Sequence, residues 1–425
     1  MTSEIKQRIE QIRRGEMPEG YNRVRDSIIP SDWKQYCLGE LGKNKNGLNF
    51  HREDKGIKIR ILGVGDFGNL SVLRDLNALS EISMRFMPDD ELLLKNGDIV
   101  FVRSNGSKEL VGRNLLVYPQ NEKVSFSGFC IRFRLSSDKI TTAEYINLLL
   151  DNGVLKQKLQ SENQGSNISN LNQSIIDNLQ ISIPCKGEQQ KIVAILTTQD
   201  RVIELKEKRL AEKQRQKKYL MQQLLTGKKR LPGFNGAWKT DCLGKLFFER
   251  KETNCENIEM LAITGPQGII PRKELDLKDN SSEDKSKYLR VCVGDIGYNT
   301  MRMWQGVSAY SNYEGIVSPA YTILKPSSSI NAKYFAYLFK MSEIVFLFYR
   351  FSQGLVDDTR NLKYENFKKI KVCYPPDIKE QTAIAEVLSA ADREIELLQQ
   401  DIEQEKQKKK ALMQLLLTGI VRVKT

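Results

Sequence analysis

The chain has 425 residues, with 66 Lys and Arg against 53 Asp and Glu, a formal net charge of +13 and a pI near 9.2. That length supports two or more domains with real cores and needs no disulfide or metal staple, while the basic excess favours a polyanionic partner, nucleic acid before a membrane surface. No apolar run approaches the ~20 residues of a spanning helix, and the opening MTSEIKQRIEQIRR lacks a signal-peptide core, so a cytoplasmic location is expected. The seven cysteines are an odd number with no C-x-x-C among them, which predicts reduced thiols and no zinc site. The single histidine, His51, is expected on a loop or the surface rather than in catalysis.

After residues 1–32, a first module spans 33–185. It opens on Trp33-Lys34, Cys37-Leu38-Gly39 and Leu41. Strand-like runs at Ile57–Ile61, Asp98–Val102 and Phe129–Phe133 alternate with loops rich in Gly, Asn and Ser. The module then turns helical over Thr141–Leu159 and closes on a short strand ending at Pro184. Within it, Gly63 to Gly68 satisfies G-x-G-x-x-G. A cofactor loop of that kind should open a helix in a βαβ unit, and Asn69-Leu70-Ser71 does so only ambiguously, so no cofactor site is expected there.

The segment 186–237 carries a long helix. Residues 188–227 align without a gap on 380–419, sharing Glu188/Glu380, Gln189/Gln381, Asp200-Arg201/Asp392-Arg393, Ile203-Glu204-Leu205/Ile395-Glu396-Leu397 and the closing Leu224-Leu225-Thr226-Gly227/Leu416-Leu417-Thr418-Gly419. The chain is therefore an internal duplication. Neither copy has an interior Gly or Pro, and each ends at Thr-Gly, the expected C-cap chemistry. Apolar residues recur in seven-residue steps at Leu196, Ile203, Leu210 and Leu224, and again at Leu388, Ile395, Ile402 and Leu416. Lys217 and Lys409 fill the one polar slot of each series, as in a coiled-coil seam with a register-setting position. Residues 191–218 hold nine basic and four acidic side chains, whereas 383–410 hold five and seven. Pairing of the two helices within one chain is thus favoured over homo-oligomerisation.

The second module, 238–376, repeats the anchors of the first: Trp238-Lys239, Cys242-Leu243-Gly244 and Leu246, then Gly294-Asp295-Ile296 in place of Gly97-Asp98-Ile99. Between the anchors the two diverge, and Trp33 to Glu188 is thirteen residues longer than Trp238 to Glu380. It turns helical over Ala332–Phe351 and closes at Pro375-Pro376. Tyr374-Pro375-Pro376-Asp377 superficially matches an adenine-methyltransferase motif, but its polar residue is on the wrong side, so a strand-to-helix linker is expected. The last segment, 377–425, carries the second long helix. The predicted class is mixed α/β (α+β), with two modules separated by two long antiparallel coiled-coil helices.

Arg, Lys, Asn and Ser in the module loops supply groups that contact phosphates and base edges. The candidates in the first module are Lys58, Arg60, Arg103, Ser104, Asn105, Lys108 and Arg113. Those in the second are Lys273, Asn299, Arg302, Arg360 and Lys363.

The order W-K-x-x-C-L-G, G-D-I, a proline, E-Q, an I-E-L helix and a closing L-L-T-G, present twice, resembles the specificity subunit of type I restriction-modification systems over essentially the whole chain. The opening Gln11 to Tyr21 also echoes Gln223 to Phe234, as in the family's pattern, where the N-terminal segment 1–32 completes the region begun by the last helix. The resemblance implies a subunit with no catalytic residues, two target-recognition domains reading the halves of a bipartite double-stranded DNA site, and paired helices that set the spacing and dock two methyltransferase subunits. Restriction/translocase subunits would add to that core, with S-adenosylmethionine, ATP and magnesium bound by the partners. A stand-alone DNA-binding regulator and a coiled-coil tethering protein are the rival readings.

Overall fold

The computed structural model describes residues 3–24, 27–50, 56–68, 70–107, 109–152, 155, 171–255, 258–265, 268–275 and 284–423. His51, Lys108 and most of the stretch expected as helix beyond Asn152 lie outside these residues. Among the described residues, no helix is long and apolar enough to cross a membrane, and no group of His, Cys, Asp and Glu could hold a metal ion.

The chain forms two compact units, one of Met1–Leu205 with Ile402–Thr425, the other of Lys206–Asp401. The division falls inside the long helices, Lys186–Leu224 and Ile378–Leu416, rather than where they begin. The reason is packing. In the first unit Ile192 and Leu196 from one helix, and Leu416 and Leu417 from the other, join the module core. In the second unit Leu224, Leu225, Ile384, Ala385 and Leu388 do so. Each helix thus gives one end to each core.

The helices run antiparallel in both units. In the second, Lys206 pairs with Asp401 at 2.8 Å, Lys213 with Glu394 at 2.8 Å, and Lys217 with Asp392, so partners descend one helix as they climb the other. In the first, Lys409 pairs with Asp200 at 2.5 Å. The polar slots of the two heptad series are therefore filled by equivalent ion pairs. Leu196, Ile203, Leu224, Leu388, Ile402 and Leu416 are buried, while Leu210 and Ile395 are half-buried. Gly227 and Gly419 close the helices at φ of 72° and 73°, the left-handed geometry that glycine adopts without a Cβ penalty.

In the first unit the central sheet runs, in spatial order, Gly42–Asn46, Cys130–Leu135, Asp98–Val102, Asn114–Val117, Val72–Leu73. A three-stranded sheet, Val124–Phe126, Ile57–Leu62, Ser80–Met84, covers part of the same core. The second unit keeps the central order with one strand fewer: Phe247–Glu249, Tyr321–Pro326, Ile296–Asn299, Ser308–Tyr310. Both modules close in the same way, with the strand after Trp33 or Trp238 pairing antiparallel to the one before Pro184 or Pro375. Tyr374 ends that strand and Ile378 starts the helix, so the Tyr-Pro-Pro-Asp run is a linker. A short helix follows each central sheet, its first turn capped by Thr142 in one unit and Asn331 in the other, each accepting from the N–H of a buried tyrosine, Tyr145 or Tyr334.

Gly63 to Gly68 forms a single 3-10 turn, Val64–Phe67, and opens no α-helix. Asp66 accepts from the Gly63 N–H at 2.7 Å, which closes the turn.

Candidate nucleic-acid interface

The repeated G-D-I is a lock for the strand that leads into each polar loop. Asp98, buried, accepts from the Lys95 N–H at 2.7 Å and takes both Arg134 donors at 2.7 and 2.8 Å. Asp295, also buried, accepts from the Cys292 N–H at 2.8 Å and is clasped by Arg250 at 2.8 and 3.1 Å. Each aspartate thus fixes the turn before its strand and is neutralised by a bidentate arginine.

The loop that follows joins two neighbouring strands of the central sheet at one end. In the first unit it runs from Arg103 to Arg113 between two antiparallel neighbours, so Arg103, Ser104, Asn105 and Arg113 are brought together at its base. The Val102 N–H donates to the Arg113 carbonyl at 2.9 Å, and the Asn105 carboxamide accepts from the Ser107 N–H at 3.0 Å. In the second unit the loop runs from Asn299 to Val307. Asn299 accepts from the Met301 N–H at 3.0 Å, and the Arg302 side chain is exposed.

The remaining candidates are dispersed. Lys58 is exposed on the three-stranded sheet, and Arg60 beside it is engaged with Glu122. Lys273 sits 2.6 Å from Glu259. Arg360 lies over the Tyr349 ring, 4.1 Å from its centroid, with Asp357 at 3.3 Å. Carboxylates therefore offset the charge of Arg60, Lys273 and Arg360 within the protein, whereas Lys363 is exposed. The cationic set open to a phosphate is narrower than residue type alone suggests.

Two repeated features escape the sequence reading. The first is a clamp beyond each Thr-Gly. Arg422 grips the buried Glu188 carboxylate at 2.8 and 2.9 Å and also Asp32 at 2.7 and 2.8 Å, with its guanidinium 6.0 Å from the Trp33 ring. The hydrogen bond from Arg422 holds the Asp32 carboxyl below the usual carboxylate range. Arg230 grips the buried Glu380 at 2.5 and 2.6 Å and lies 5.7 Å from the Trp238 ring. The neighbouring Gln189 and Gln381, also buried, donate to the carbonyls of Pro184 and Pro375. The proline, the E-Q pair and the tryptophan are thus parts of one socket.

The second is a tie to the polar loop. The Leu171 N–H donates to the Arg103 carbonyl at 2.9 Å, and the Leu362 N–H donates to the Thr300 carbonyl at 2.9 Å. Arg103 and Thr300 occupy equivalent places, five residues after Asp98 and Asp295.

A family model described as type I restriction modification DNA specificity domain matches residues 30–215 and 276–407. The chain belongs to this family. Its two matched regions contain both sockets' buried glutamates and glutamines. A Methanocaldococcus jannaschii protein assigned as the MjaX type I restriction enzyme specificity subunit is 24% identical over 437 residues, covering 96% of this chain and 98% of the relative. The fold is similar to a chain from a study of complex assembly and conformational transition of the type I R-M system, with TM-score 0.57, 15% identity and coverage of 92% and 99%. It is also similar to the type I restriction-modification system S subunit of M. genitalium, with TM-score 0.54, 13% identity and coverage of 93% and 98%. The chain is a specificity subunit with two mixed α/β modules and two long antiparallel helices.

Proposed function

We propose that each module reads one half of a bipartite, asymmetric double-stranded DNA site, and that the paired helices set the unread gap and dock two methyltransferase subunits, to which restriction subunits add. The observation that carries this reading is that the duplication keeps its frame and changes its loops. Socket, turn lock and helix pairing recur, while Arg103–Arg113 and Asn299–Val307 share neither length nor composition, as two readers of different sequences require. Lys58, Arg103, Arg113, Arg302 and Lys363 are the phosphate contacts in this reading, with Ser104, Asn105 and Asn299 nearer the bases. Binding should weaken steeply with salt as these cations displace counterions. The subunit itself carries no methyl transfer or cleavage, and S-adenosylmethionine, ATP and magnesium are bound by its partners.

The test is the methylated motif of cells that express the chain with its methyltransferase partner. Replacing residues 42–180 with the equivalent segment of a relative changes one half-site and preserves the other; a change in both refutes separate readers. Inserting one heptad after Leu210 and one after Ile402 adds about 10 Å at ~1.5 Å per residue, or about three base pairs. The half-sites then stay while the gap lengthens, and an unaltered gap in an active variant removes the spacing role.

A further inference from the structure

In the second unit a short loop stands out from the fold with its most apolar residues outermost. Gln353 and Asn361 pair as an isolated antiparallel bridge, their N–H groups donating to each other's carbonyls at 2.8 and 2.7 Å. That bridge closes a loop of seven residues. Gly354 enters it at φ 136°, where a Cβ would lie 2.7 Å from the backbone of Thr359 and Arg360, so only glycine fits. A turn follows in which the Thr359 N–H donates to the Val356 carbonyl at 3.0 Å. Arg360 then fastens the far side through its stack on Tyr349. The loop is thus braced at both ends. Nevertheless its tip, Leu355 and Val356, is 100% and 59% exposed. A fully solvated leucine gains no burial energy from folding, so what this braced tip contributes is its apolar surface, presented to water by a loop fixed at both ends.

Three observations indicate what that surface meets. The loop ends at Leu362, whose N–H is tied to the polar loop through Thr300, so its base adjoins Asn299 and Arg302. Exposed cations flank it, with Arg302 on that loop, Arg350 on the preceding helix and Lys363 just beyond, and the exposed Asp357 within it is paired with Arg360. The same frame, Gln-Gly followed by Asn-Leu, recurs in the first module at Gln164-Gly165 and Asn170-Leu171, with four residues between them in place of six and no residue in common. A segment that docked the same kind of protein subunit in each module would keep its sequence. One that reads different base pairs keeps its flanking residues and changes those between them.

We infer that the Gln353–Asn361 loop is a base-reading element of the second module, entering the major groove so that Leu355 and Val356 pack on the C5-methyl groups of thymine. This rests on the reading that each module contacts half of a DNA site. The major groove admits a two-stranded ribbon, and thymine is the base that offers an apolar edge there. The exposed arginines and lysine beside the loop bear on the flanking phosphates.

The experiment uses the full chain in complex with its methyltransferase partner, on a duplex whose two half-sites are first taken from the methylome. Each thymine of the half-site assigned to the second module by the module exchange is replaced in turn by deoxyuridine, which removes one methyl and nothing else. The wild-type complex should bind at least one such duplex about fourfold more weakly, the worth of one buried methyl. L355S and V356S should lose that sensitivity and relax the methylated motif at the same position, with the thermal midpoint unchanged and the other half-site intact. Wild-type binding indifferent to every deoxyuridine overturns the inference, as does an unchanged second half-site in both variants, while the bipartite reading stands. A wild-type motif that is not bipartite overturns that reading instead.

Discussion

The two modules solve one folding problem with different parts. Each must hold a buried aspartate at the start of the strand that leads to its polar loop, yet the arginine that neutralises it comes from different strands: Arg134 from the strand beside it, Arg250 from just past the sheet's edge strand. In the clamp the opposite holds. Arg422 and Arg230 come from equivalent places, but Arg422 serves a second carboxylate, Asp32, where the second unit has Ala237. What is kept between the copies is the chemical requirement of the buried group. Its supplier changes wherever the surrounding loops have been free to change.

That comparison breaks most visibly at the clamp. Arg422→Ala leaves Glu188 buried without its cation, at a cost of about 3 kcal/mol, and Arg230→Ala does the same to Glu380. In a Trp304→Phe background the remaining tryptophans, Trp33 and Trp238, report one unit each. Denaturant unfolding should show the Arg422 variant weakened at Trp33 with Trp238 unmoved, and the Arg230 variant the reverse. Equal loss at both reporters would mean that the sockets are not independent.

The turn locks sharpen the comparison. Arg250 is 9% exposed and Arg134 26%, so water can compensate an orphaned Arg134 more readily. Asp295→Asn should therefore cost about 3 kcal/mol and Asp98→Asn about 2 kcal/mol, seen as a larger fall in the urea midpoint of the second unit. Equal costs would show that exposure of the arginine does not decide the outcome.

Smaller and more nearly equal effects are expected at the two C-L-G glycines. A Cβ on Gly39 would lie 2.9 Å from the Asp177 Cβ, and one on Gly244 2.7 Å from the Lys368 Cβ. Gly39→Ala and Gly244→Ala should each cost about 1–2 kcal/mol by overpacking, again read from the denaturant midpoints. A neutral result at either would mean that its neighbouring helix can slide away. The smallest difference is acid-dependent. Because Asp32 is held below its usual range, its contribution is present near neutrality and is lost as the pH falls through its folded-state pKa. Asp32→Asn should abolish that one step in the first unit's acid profile, and an unchanged profile would leave Arg422 to Glu188 alone.

The helices were legible because their signal is periodic: seven-residue spacing, an absence of Gly and Pro, and closing Thr-Gly survive any detail of packing. The anchors were legible because they repeat at matching offsets. The clamp was not, since the tails beyond Thr-Gly, Lys-Lys-Arg-Leu-Pro and Ile-Val-Arg-Val-Lys, share only the arginine, and one residue carries no pattern. The Gln-Gly to Asn-Leu frame was hidden by its unequal spacing. Arg134 and Arg250 could not have been matched at all, because they neutralise equivalent aspartates from different strands and are unrelated in sequence. Among the candidate contacts, residue type identified the cations, but whether a carboxylate already held them depended on strands far along the chain, as Glu122 does for Arg60.

The clamp on Glu188 also has an order in time. Its arginine lies 234 residues after the glutamate it neutralises. During synthesis the first module emerges early, yet its socket stays open until the second module and the helix beyond it have been translated, whereas the second socket is complete once Glu380 follows Arg230. The first module to be made is therefore the last to be finished. A change at Arg422 should accordingly act on the module encoded far upstream of it, at Trp33 and Glu188.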